Sequence, residues 1–291
     1  GGREMELKEI VNNIAELIPV VDSKTQKQNH GRRTKRPYLK GVKTLREPQF
    51  VEELILQWKK TNPGQTLLTD ITDEFPYPGN EAPSGKKKGE TCDIVLTSPD
   101  VEVMFGTWEW AIEIKYLSLV GNNGNNNDYV MQKAISPYLK DRSLVHDIEK
   151  LKKASFGKRK AVIFYGFDFD ETSSNHAEMV CEKVLQSIGK STFYVEKPTD
   201  TWFSKADEET GKVTNLFLEK DVKPIPKNLG KVIRSVDKYG QSYSLESVTE
   251  IIDAFMRING ISSSPPVVSK FSGLERHPCG QFGRVVGWEI K

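Results

Sequence analysis

The chain has 291 residues, 37% hydrophobic and 28% charged, with a formal net charge of +2. That length and composition suit a globular protein with one large core or two modest ones, and no apolar run reaches the roughly 18 residues a membrane-spanning helix needs. The near-neutral balance excludes a strongly polyanion-binding chain as a whole, and Cys92, Cys181 and Cys279 are too scattered for a disulfide framework or a zinc spacing, which points to a reducing cytoplasm.

No secretion signal is visible, and Gly1-Gly2 read as residues ahead of a natural start at Met5. Residues 6–18 carry Leu7, Ile10, Val11, Ile14, Leu17 and Ile18 on one stripe and predict a helix. Residues 24–46 then hold nine Lys or Arg and no Asp or Glu, so the rest of the chain sums to −7, since +2 minus +9 is −7. A basic loop or arm on a mildly acidic body fits contact with a phosphate backbone, against the plainer alternative of a solvated linker. Pro48 opens a second helix whose apolar face is Phe50, Val51, Leu54, Ile55 and Trp58, ended by Asn62-Pro63-Gly64.

A short strand is expected over 66–71, a Pro- and Gly-rich loop over 76–90 containing Lys86-Lys87-Lys88, and further strands over 91–96 and 110–117. The Asn- and Gly-rich stretch 121–127 reads as a loop. Residues 143–153 predict a helix with Leu144, Ile148 and Leu151 inward and Lys150, Lys152 and Lys153 outward or toward a site. The run Ala161-Val162-Ile163-Phe164-Tyr165 predicts a central strand covered on both faces within 160–167. Helices are expected over 175–188 and 244–258, a loop at 262–266, and a final strand over 283–291.

The chemistry concentrates at Asp93 and at Glu113-Ile114-Lys115. Strand side chains alternate faces, so Glu113 and Lys115 point the same way. If the strands at 91–96 and 110–117 pair, Asp93 comes alongside, and two carboxylates and an amine converge. Such a set suits a hard divalent cation and a water activated against a phosphodiester. Glu-x-Lys also occurs at Glu6-Leu7-Lys8 and Glu289-Ile290-Lys291. Glu113 differs in lying within an apolar run, where charges signal either a buried ion pair or a site.

An acid at a strand start followed by acid-x-Lys on the next strand resembles the motif of the PD-(D/E)xK nuclease superfamily, and within it restriction-endonuclease-like proteins, over residues 47–190. Asp100 of Pro99-Asp100 competes for the first position. It reads as a turn after Ser98, whereas Asp93 opens an apolar run but follows Cys92 where the family has proline. The order helix, three strands, helix, strand, helix also matches the family core.

The resemblance implies an α/β fold, a mixed central β-sheet flanked by helices. It implies Mg²⁺ held by Asp93, Glu113 and the Ile114 carbonyl, with Lys115 positioning the attacking water. Glu53, or its neighbour Glu52, is a candidate further acid on the first core helix. Arg32, Arg33, Lys35, Arg36, Lys87 and Asn125 are candidate DNA contacts. The expected organisation is an N-terminal helix and basic arm (1–46), a nuclease core (47–190) and a C-terminal extension packed on it for DNA recognition or dimerisation (191–291).

The function so implied is a Mg²⁺-dependent, sequence-specific endonuclease of the type II restriction kind, a homodimer on double-stranded DNA. A structure-reading repair or recombination nuclease and a non-catalytic DNA-binding protein with a structural ion pair are the alternatives. An RNA-cleaving enzyme ranks lower, because no stacking aromatics interleave with the basic segment.

Overall fold

In the computed structural model the described residues are 4–25, 27–29, 37–39, 41–63, 66–69, 92–97, 108–119, 133–134, 142–154, 157–168, 245–258, 260–274, 276 and 281–291. They fall into two compact units. The first comprises residues 1–116, 150–167 and 266–291, and the second residues 117–149 and 168–265.

The first unit is organised by a six-stranded mixed sheet. Its members are β3 (Thr66–Thr69), β4 (Ile94–Thr97), β5 (Trp108–Tyr116), β6 (Gly157–Phe167), β7 (Val267–Phe271) and β8 (Gly283–Ile290), in the spatial order β3-β4-β5-β6-β8-β7. Neighbours are antiparallel except β5 and β6, which run parallel, with Glu113 opposite Val162 and Lys115 opposite Phe164. A parallel pair needs a crossover, and here the intervening chain includes helix α3 (Leu144–Lys153). In β6 every residue from Ala161 to Phe167 is buried, as its near-continuous apolarity predicts for a central strand.

Two helices cover one face. Helix α1 (Leu7–Lys24) and helix α2 (Glu47–Thr61) present Ile10, Val11, Ile14, Ile18, Phe50, Leu54 and Trp58 to Ile112, Ile114, Ile163, Tyr165 and Val285 of the sheet. Each buried aliphatic side chain in such a layer contributes about 1.5–3 kcal/mol over remaining exposed. The approach is close at β8, where a Cβ on Gly287 would stand 2.9 Å from Cγ2 of Val11 and 3.2 Å from Ile163.

Helix α1 is longer than its sequence stripe. It continues through Pro19 to Lys24, with Val21 and Asp22 buried in the added turns. Asp22 explains the extension, since its carboxylate accepts the Val42 amide at 2.9 Å and the Arg276 amide at 3.3 Å. Tertiary bonds thus outweigh the hydrogen bond that proline removes. The basic segment is not wholly a loop: β1 (Lys27–Asn29) pairs antiparallel with β2 (Pro37–Leu39), and Val42–Thr44 form a 3₁₀ turn. Lys43 faces inward, buried, with its ammonium 5.3 Å from the centre of the Phe167 ring. The edge strand β7 was not anticipated.

In the second unit, helix α4 (Leu245–Ile258) buries Leu245, Val248, Ile252, Phe255 and Met256. The Leu245 amide donates to the Asp168 carboxylate at 3.1 Å, supplying one of the acceptors a helix start needs. The helix expected over 175–188 lies outside the described residues. Among the described residues no helix is long and apolar enough to cross a membrane.

Candidate active site

The site grows from the point where β4 stops and β5 continues. Register pairs Ile94 with Ile112, so Asp93, one residue before β4, falls opposite Glu113. Along β5 the amides of residues 112, 114 and 116 face the β4 edge, because backbone groups alternate sides as side chains alternate faces. Beyond Ile94 no β4 backbone remains to take the next two amides. Side chains take them instead: Asp93 Oδ2 accepts the Ile114 amide at 2.8 Å, and Glu47 Oε2 accepts the Tyr116 amide at 2.8 Å. The Ile114 carbonyl lies on the same edge as its amide, beside Asp93.

On the face away from α1 and α2, β5 carries Glu109, Ala111, Glu113 and Lys115, all buried. Both charges of the Glu113-Ile114-Lys115 tripeptide are matched. Lys115 Nζ lies 3.6 Å from Glu47 Oε1, and Lys150 Nζ lies 3.3 Å from Glu113 Oε1. Glu47 sits in the first turn of α2, where the helix dipole favours an acid. It therefore holds both the Lys115 ammonium and the amide of the next residue, Tyr116.

Beneath this edge is an aromatic floor. Tyr116 and Tyr165 stack with centroids 4.9 Å apart, Phe50 lies 4.0 Å from Tyr165, and the Tyr116 hydroxyl donates to the Lys43 carbonyl at 3.1 Å. Burial pushes the ionisation of Tyr165 well above a tyrosine's ordinary range, and the charges of Glu47, Tyr116 and Asp93 push it further.

No protein-family model, curated protein or solved structure matches the chain.

The structure thus brings together Asp93, Glu113, Ile114 and Lys115. The acid of helix α2 that joins them is Glu47, not Glu53: Glu53 is half-buried and lies six residues, about 9 Å, farther along the helix. Asp100 and the candidate DNA contacts Arg32, Arg33, Lys35, Arg36, Lys87 and Asn125 lie outside the described residues. Of the three lysines expected at the end of α3, Lys150 turns to the site, while Lys152 and Lys153 are exposed. Glu47 had one sequence signal, its place immediately before Pro48 in a helix's first turn.

The donor set suits a hard cation. Two carboxylates and a carbonyl are oxygen ligands of the kind Mg²⁺ takes while keeping several waters. Among the described residues no group of three or more His, Cys, Asp or Glu lies close enough to hold a metal. A metal here would rest on Asp93, Glu113 and backbone, as the expected set requires.

Proposed function

We propose that the protein is a Mg²⁺-dependent DNA endonuclease of the restriction type, with a restriction-endonuclease-like core formed by α2, β3, β4, β5, α3 and β6. The observation that carries this reading is the bond from the Ile114 amide to Asp93, which fixes the first acid opposite Glu113 at the end of a strand. The pairing around it supports the core assignment: two antiparallel neighbours, then a parallel strand reached through a helix.

In this reading Asp93, Glu113 and the Ile114 carbonyl hold the ion. When bound, Mg²⁺ supplies a water of lowered pKa and a Lewis acid for the phosphate. Asp93 is pre-oriented by the Ile114 amide, so less side-chain freedom is lost there on binding. Lys115 holds its Nζ 3.6 Å from the Glu47 carboxylate. It offers a cationic donor where negative charge grows on the scissile phosphate. The product is a strand end bearing a 5′-phosphate, and a palindromic site calls for a homodimer.

A second reading rests on the same distances. With Lys115 matched to Glu47 and Lys150 to Glu113, the charges also suit a non-catalytic DNA-binding protein with structural ion pairs. Incubation with a plasmid and phage DNA panel, with Mg²⁺ or with EDTA, separates the two. Discrete Mg²⁺-dependent fragments are expected from the wild type, and a loss of roughly 10³-fold or more from Asp93→Ala and Lys115→Ala, both folded by circular dichroism. Smearing would point to a repair or recombination nuclease instead. Absence of cutting on methylated and unmethylated DNA alike would favour the binding protein.

A further inference from the structure

Resting on the nuclease reading above, we propose that Lys150 is an exchangeable counterion: it neutralises Glu113 until a divalent cation displaces it, and the released ammonium then serves as a contact for the substrate phosphate. The Glu113 side chain is 2% exposed, on a strand whose neighbours Ile112, Ile114 and Val162 are apolar and buried. A carboxylate there is costly unless a positive charge stands beside it. Lys150, from the last turn of α3, provides that charge at 3.3 Å while keeping its own side chain 22% exposed.

Three features make this pair one that opens. The ammonium is a compact point charge on a flexible stem, without the two-pronged grip of a guanidinium. At equal dielectric, a divalent ion about 2.1 Å from the carboxylate exerts about three times the attraction of a single charge at 3.3 Å. The incoming ion also repels the ammonium, whose stem lets it move to the solvent side, where a phosphate arrives. The Lys115–Glu47 pair differs, since Glu47 is not among the expected metal ligands. One ion pair is retained on metal loading and the other is exchanged.

Titration of the DNA-free protein with MgCl₂, followed by calorimetry and by thermal melting, tests the exchange. Lys150→Gln should bind Mg²⁺ about 3- to 10-fold more tightly than wild type, and its melting temperature should rise more on Mg²⁺ addition. Lys150→Arg, which keeps the pair and so remains informative if the Gln variant does not fold, should bind Mg²⁺ more weakly. Unchanged or weaker binding by a folded Lys150→Gln, or unchanged or tighter binding by Lys150→Arg, overturns the exchange and leaves the nuclease reading standing. A wild type that binds no Mg²⁺ overturns both.

Discussion

Tyr165 is fully buried, against the rings of Phe50 and Tyr116, and its hydroxyl has no hydrogen-bond partner among the described residues. A buried hydroxyl left in that state costs about 1–3 kcal/mol, so Tyr165→Phe should leave neutral-pH stability unchanged or raise it by up to about 1 kcal/mol. The same group gives a pH dependence. Burial, then the charges of Glu47, Tyr116 and Asp93, hold its folded-state ionisation above the ordinary value. The stability it contributes is therefore complete below about pH 10 and declines as pH rises beyond that, when the unfolded tyrosine ionises and the folded one does not. Urea unfolding should show the variant's stability relative to wild type to be higher at pH 10.5 than at pH 7. A loss above about 1 kcal/mol at pH 7 would reveal a partner for the hydroxyl.

At the level of elements, the join between α1 and β8 is a close helix-on-sheet contact that a glycine makes possible. Alanine is normally no worse than glycine in a strand. Gly287→Ala should nonetheless destabilise by about 1–3 kcal/mol, because its Cβ would stand 2.9 Å from Val11 Cγ2. Adding Val11→Ala should recover part of that loss in a double-mutant cycle by thermal melting; simple additivity would mean that α1 shifts to accommodate the methyl group.

These elements were unequally legible. Long apolar stripes and runs located α1, α2, β6 and α4, since burial there follows local periodicity. The strand β7 escaped because only Phe271 of its five residues is buried; pairing with β8 makes it a strand, and that partner lies downstream. Period-two alternation sufficed to set Glu113 beside Lys115. Glu47 did not emerge, because which acid of α2 meets Lys115 depends on how far the helix slides along the sheet. Asp22 shows the same limit: its partners Val42 and Arg276 are 20 and 254 residues away.

For the molecule as a whole, the site draws on three separated stretches of chain, the start of α2, the β4–β5 pair and the end of α3. It lies where β5 outruns β4, and Asp93 and Glu47 occupy the two amides left over. Those carboxylates also act as a stopper. Bare strand edges recruit strands from other molecules, and inward-turned acids at an edge discourage it. Removing both acids would uncover two adjacent donors beside buried apolar residues. The doubly substituted Asp93→Ala/Glu47→Ala protein should therefore self-associate at concentrations where Lys115→Ala stays dispersed, as light scattering would detect; equal behaviour of the two would show the edge to be guarded by other means. Asp93, a metal ligand in the proposed reading, would then work with Glu47 to keep one copy of the chain from adhering to the next.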